Sequence, residues 1–245
     1  GTLRRNFGRS RNVSAVYVLQ AIGVEPLLQL TEKLGITTLK NKANYGLSLA
    51  LGSGEMKLIE HTAAFTVFAN EGIKNPTVTI LKVEDSKGNV LEEAKFEEGT
   101  RVVDEKEIYL LNYVLCDLGG FGDRLGISYS KVNGKNVCFK TGTTDGPRDL
   151  ATMMYHKNLV VGVWTGNNNN AIARNATSTA VPLPIAYGIT KRLAVVYKPE
   201  LFTRPAGIVS TAVCKDTGGI PAEGVTCDKE ASIYIAGRAP QTDNR

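Results

Sequence analysis

Histidine is scarce in this chain: His61 and His156 are the only two among 245 residues. A Ser-His-Asp triad would have to recruit one of them, yet His61 falls in an apolar helical stretch and His156 in a turn between two apolar runs. Four cysteines stand at 116, 138, 214 and 227 with no C-x-x-C spacing. With so few nitrogen ligands beside them they do not make a zinc site, and neither a metal nor another cofactor is expected. No apolar run approaches the roughly 18 residues of a spanning helix, and the opening "GTLRRNFGRSRN" leads into no signal-peptide core, so the chain as given reads as soluble. Charge of neither sign is gathered into a block: 29 basic residues are scattered among 24 acidic ones, for a net +5. That supports a mild attraction to anionic partners and no nucleic-acid partner. Internal repeats and low-complexity tracts are absent as well.

What is present has the composition of a globular protein with a large core, 42% hydrophobic and 22% charged. "NVSAVYVLQAIG" sets Val13, Val16, Tyr17 and Ile22 at helical spacing before Gly23, a stop signal. Pro26 suits the first turn of a second helix that Gly35 closes. A third helix is predicted within 55–70, with Ile59, Ala63, Phe65 and Phe68 on or near its packed face. "TVTILKVED" and "NVLEEAKFEE" around "SKG" predict a strand hairpin. Asp104 followed by Glu107 resembles a capping box for a fourth helix whose stripe is Ile108, Leu111 and Leu115.

"KNVCFKT", "LATMMY" and "LVVGVWTG" then read as three strands in close succession, the last two joined by the short turn "HKN". Tight connections favour an antiparallel sheet, and "LPIAYGITKRLAVVY" reads as an amphipathic helix covering one of its faces. The fold class is therefore α+β. From about Pro199 periodicity fades, which suggests a main unit over 1–198 and a loop-rich C-terminal extension over 199–245. Cys214 and Cys227 flank a Gly/Pro-containing loop; they close it as a disulfide in an oxidising compartment or remain free thiols.

Two short motifs carry chemistry. Lys140-Thr141-Gly142-Thr143 ends an apolar strand. An ammonium attracts a carboxylate, the hydroxyls hydrogen-bond it, and the glycine permits close backbone approach, so this edge suits a carboxylate-bearing, peptide-like ligand; a plain polar turn is the competing reading. Ser10-Arg11-Asn12 lies 130 residues before the lysine and offers a hydroxyl and a carboxamide just ahead of a helix, where the competing reading is a cap. Together they match the second and third elements of the serine acyl-transfer signature S-x-x-K, S-x-N, K-T-G.

At this point the chain resembles the transpeptidase domain of penicillin-binding proteins, in particular the class A, bifunctional type. The resemblance runs from residue 2 to about 195 and rests on "TLRRNFGRSRNVSAVYVLQAIG", "LALGSGEMKLIEHTAAFTVFANEG" and "KTGTTDGPRDLATMMYHKNLVVGVWTGN" in that order. The tail resembles the end of that domain more loosely. The resemblance implies the penicillin-binding/β-lactamase-like fold and a peptidoglycan D,D-transpeptidase. There a serine attacks the D-alanyl-D-alanine bond of a stem peptide, and an acceptor amine resolves the acyl-enzyme into a crosslink. It implies that Ser10 relays a proton, that Asn12 holds the acyl side-chain amide, and that Lys140 tunes Ser10 and the local potential. Thr141 and Thr143 would hold the carboxylate of the stem peptide or of a β-lactam, the Thr143 N–H would serve an oxyanion hole, and Gly142 would keep the edge accessible.

The sequence departs from the family in places. The S-x-x-K element, with the nucleophile and its lysine, is missing ahead of Ser10. The formal match Ser128-Tyr129-Ser130-Lys131 lies in a polar turn and reads as coincidence. The segment 116–136 stands where the family has a Gly-Thr-Gly-like loop, and Leu58 replaces a proline common early in its helix. Arg148-Asp149 matches a frequent pair and reads as structural. The expectation is the C-terminal portion of a transpeptidase domain, inactive alone and prone to associate through uncovered apolar surface. The upstream part would carry the S-x-x-K helix, a glycosyltransferase module and an anchor holding the protein at the extracytoplasmic face of the bacterial inner membrane. A non-catalytic peptide or β-lactam-binding module and a β-lactam-hydrolysing relative are the alternatives.

Overall fold

The computed structural model describes residues 2–116 and 129–244. Its centre is a three-stranded antiparallel sheet in the order β7 (Cys138–Thr143), β8 (Asp149–His156), β9 (Leu159–Gly166). These are the three strands the sequence predicts, with His156 opposite Leu159 across the tight turn. β8 is buried almost continuously because helices cover both faces of the sheet. On one face α6 (Pro182–Leu193) seals Val137, Phe139, Met154 and Val161 with Leu183 and Ala186. On the other, α4 (Leu58–Ala69) and α5 (Glu105–Cys116) pack Ala69, Leu115, Cys138 and Tyr155 together. Gly162 lets α4 lie directly on β9: a Cβ there would stand 2.1 Å from Thr62 Oγ1.

Ahead of this core come α1 (Leu3–Gly8), α2 (Asn12–Ile22) and α3 (Val24–Leu34). Gly35 ends α3 in the left-handed conformation at φ +99°, the stop that only glycine adopts freely. α3 buries Leu28 and Leu34 against Ala64 and Val67 of α4. Small strands complete the first part of the chain: β1 (Ile73–Lys74) with β4 (Thr100–Arg101), and the predicted hairpin of β2 (Lys82–Glu84) with β3 (Val90–Glu93), shorter than expected and exposed throughout. β5 (Lys131–Val132) pairs with β6 (Lys135–Asn136) just before the sheet. At α5 the predicted cap forms through Asp104 Oδ1, which accepts the Lys106 N–H at 2.8 Å, while Glu107 turns instead to Arg238 at 3.3 Å.

Several expectations about packing need correction. In α2 the buried residue is Leu19, whereas Val13 and Tyr17 of the predicted stripe are 83% and 72% exposed. The helix is apolar on more than one side, and its described neighbours cover one side only. α4 is buried on two sides: Ala64 and Val67 meet α3, Ala69 with the partly buried Phe65 and Phe68 of the predicted face meets the sheet at Tyr155, and Ile59 is exposed. Leu58, where the family has proline, is simply the first residue of α4, a position that makes no demand on its N–H.

The C-terminal segment is less irregular than expected. β10 (Ile208–Cys214) and β12 (Lys229–Ile235) form a seven-pair antiparallel ribbon, and β11 (Ile220–Pro221) pairs with β13 (Thr242–Asp243). Cys214 and Cys227 are joined as a disulfide. So are Cys116 and Cys138, tying the end of α5 to the start of β7, a pairing that spacing alone did not suggest.

Candidate active site

Ser10 sits in the turn between α1 and α2, at φ +49°. A non-glycine residue held there stores strain of about 1–2 kcal/mol. The helix before the turn is held by two neighbours, α5 and β12. The Arg4 guanidinium lies 4.8 Å above the Tyr113 ring of α5 and donates to the Ala231 carbonyl of β12 at 3.0 Å, while Arg5 pairs with Glu230 at 3.2 Å. The C-terminal ribbon therefore braces the very turn that presents Ser10. Helix α2 starts with no side-chain cap, so neither Ser10 nor Asn12 is spent on capping, and the competing reading of that motif falls away.

Lys140 on β7 reaches across 130 residues of sequence to donate to Ser10 Oγ, and also to the Thr141 carbonyl at 2.8 Å. Burial lowers its pKa from 10.5 to about 8, since an ammonium out of water is costly and few charges offset it here. Asn12, the first residue of α2, lines the same groove. β7 pairs with β8 alone among the described residues, so Thr141, Gly142 and Thr143 lie on an edge strand able to receive an extended peptide. A Cβ on Gly142 would meet nothing within 4 Å, so the glycine leaves open space at the edge.

These residues share a groove of about 840 Å³. Its lining is largely apolar, with Phe7, Val18, Leu19, Ile22 and Leu111 among it, and includes the polar Ser10, Asn12 and Lys140 to Thr143. Among the described residues Arg4, Arg11 and Lys140 line it and no carboxylate does, a charge balance suited to an anionic ligand.

Other candidates lie apart. The Asp149 carboxylate accepts the Trp164 indole N–H at 3.0 Å, its N–H donates to Thr144 Oγ1 at 2.9 Å, and Arg148 donates to the Asn170 carbonyl, so that pair shapes the loop after β7. His61 packs edge-on against Phe65, and His156 is fully buried; burial lowers the pKa of both. Neither lines the groove. Ser128 lies outside the described residues, and Lys131 begins a short strand rather than a helix. Sequence reasoning missed Ser178, which lines the groove and bonds to Thr143; "ATSTAVP" signals only an approaching helix start.

An antiparallel sheet between α6 and the α4/α5 pair, with an edge strand and a lysine–serine pair at its cleft, is the architecture of a penicillin-binding transpeptidase domain. Solved structures share it. Penicillin-binding protein 1A from Haemophilus influenzae superimposes with a TM-score of 0.83 over 98% of this chain and 40% of that one, at 20% identity. The PonA1 protein of Mycobacterium tuberculosis, in complex with penicillin V, does so with a TM-score of 0.71 over 84% of this chain and 59% of that one, at 18% identity. No protein-family model matches the chain. In sequence it is 31% identical over 245 residues to penicillin-binding protein 1A of Aquifex aeolicus, covering 98% of this chain and 32% of that protein. The chain is thus a homologue of the class A penicillin-binding proteins 1A over nearly all its length, and it spans about a third of the length of the curated relatives it matches.

Proposed function

We propose that this chain supplies the substrate-holding part of a peptidoglycan D,D-transpeptidase site, with the nucleophilic serine and its lysine coming from an S-x-x-K helix outside these 245 residues. The Lys140–Ser10 pair is the observation that carries this reading: a partly desolvated lysine beside a strained, uncapped serine has no structural need and a clear use in moving a proton. A serine delivered there attacks the carbonyl of the penultimate D-alanine. The bond to the terminal D-alanine breaks, that residue departs with a proton relayed through Ser10, and an ester remains. An acceptor amine then attacks the ester, forming the crosslink and freeing the serine. Lys140 and Thr141 hold the terminal carboxylate at the edge that Thr143 completes, Asn12 holds the acyl side-chain amide, and the Thr143 N–H stabilises the oxyanion.

Without the nucleophile the chain alone binds and does not acylate. Residues 1–198 are the transpeptidase portion, and 199–245 the appended segment bracing it. No single helix among the described residues is long and apolar enough to cross a membrane. In this reading the protein works at the extracytoplasmic face of the bacterial inner membrane.

Labelling with a fluorescent penicillin, on this chain and on the full-length protein, tests the reading. The expected result is an adduct in the full-length protein on a serine outside these residues, and none on the chain alone. An adduct on the isolated chain, with Ser128 the first serine to map, would overturn it. Reversible displacement without any adduct would point to a binding module.

A further inference from the structure

Ser178 precedes α6 and is 6% exposed, yet it lines the groove at the end formed by Thr143. Its contacts with Thr143 run both ways. The Ser178 N–H donates to Thr143 Oγ1 at 3.3 Å, and the Thr143 hydroxyl donates to Ser178 Oγ at 2.9 Å. The Ser178 carbonyl is also engaged, accepting from Leu183 N at 3.1 Å and from Thr152 Oγ1 at 3.5 Å. A cap for α6 would be the ordinary use of a serine here. The helix starts without a side-chain cap, however, and the Ala180 N–H is taken by Thr177 Oγ1 at 3.2 Å.

Proton counting then decides the chemistry. A hydroxyl has one proton to give. Thr143 has given its proton to Ser178, so in this arrangement it has none for a ligand carboxylate. Ser178 Oγ has received a proton and still holds its own, for which no acceptor is recorded among the described residues. Accepting a hydrogen bond polarises that O–H and makes it a better donor.

We infer that Ser178 is a further ligand-binding residue: its hydroxyl donates to the carboxylate of a D-alanyl-terminated peptide or of a β-lactam, while the paired Thr143 hydroxyl is held in place behind it. The inference rests on the transpeptidase reading for the identity of the ligand, not for the hydroxyl pair itself. A hydrogen bond to an ionised group is worth about tenfold to a hundredfold in affinity.

The test compares benzylpenicillin with its methyl ester on the full-length protein, as acylation rates for the wild type, Ser178→Ala and Ser178→Thr. Ser178→Ala is expected to slow the acid by about tenfold or more and leave the ester unchanged, and Ser178→Thr to keep the preference for the acid. Equal losses for acid and ester, or no loss, would overturn the inference, since a merely structural serine cannot distinguish the two. If Ser178→Ala melts below the assay temperature, Ser178→Cys, similar in size with a weaker donor, carries the same expectation. If the wild type is acylated by neither compound, the transpeptidase reading fails. Calorimetric binding of an N-acylated D-alanyl-D-alanine and of its C-terminal amide then still decides on Ser178. A preference for the acid that Ser178→Ala removes sustains the subsite, and its absence overturns it.

Discussion

Replacing Lys140 by methionine separates what the site costs from what it does. Burial holds the ammonium's pKa near 8 instead of 10.5, and the lowered value belongs to the folded state. At pH 7 both folded and unfolded states are protonated, so the native state bears the whole desolvation cost. As pH rises from 8 through 10.5 the unfolded chain keeps a proton that the native state has lost, and stability rises. The cost works out at ~3 kcal/mol at pH 7 and ~1 kcal/mol at pH 10. Methionine keeps the length and removes the charge, forfeiting the bonds to Ser10 Oγ and the Thr141 carbonyl, about 1–2 kcal/mol together. Lys140→Met should therefore melt about 2–6 °C higher at pH 7. The gap should close or reverse by pH 10, while labelling of the full-length protein by fluorescent penicillin is lost. Scanning calorimetry of both proteins at both pH values measures this. A variant less stable at pH 7, or one whose gap is the same at pH 10, would refute desolvation as the cause of the lowered pKa.

Other substitutions probe the same architecture. Gly142→Ala places a methyl group in open space, so its melting temperature should stay within a degree or so of the wild type while penicillin labelling of the full-length protein falls steeply; a large loss of stability would contradict the open edge. Ser10→Gly relieves the left-handed strain and should stabilise by about 1 kcal/mol in denaturant titration, again with loss of labelling. Tyr155→Phe removes the hydroxyl that donates to Asn112 Oδ1 at 2.7 Å deep in the core, and should cost about 1–3 kcal/mol because that oxygen is left without its partner. The isolated chain, with Val13, Tyr17, Ile80, Leu81 and Phe96 exposed, should associate with rising concentration; a monomer at every concentration in sedimentation runs would count against that.

Much of this protein was legible in its sequence because it is written locally. Gly23 and Gly35 stop their helices, the alternation through 138–166 marks three strands, and the turn at 157–158 forces the last two to be antiparallel. K-T-G and S-x-N, read together, raise the expectation of an acyl-transfer site. Local pattern does not say which side of an apolar helix meets a neighbour. Tertiary packing therefore decided that α2 buries Leu19 and leaves Val13 and Tyr17 in water, and that α4 turns Ala64 and Val67 to α3 while Ile59 stays exposed. The same holds for the site. Only the folded chain brings Lys140 to Ser10, joins Cys116 to Cys138, sets the C-terminal ribbon behind Arg4 and Arg5, and turns Ser178 onto Thr143. Each of these contacts joins residues far apart along the chain, and such contacts follow from the path of the backbone in space, whereas periodicity and capping act within a few turns.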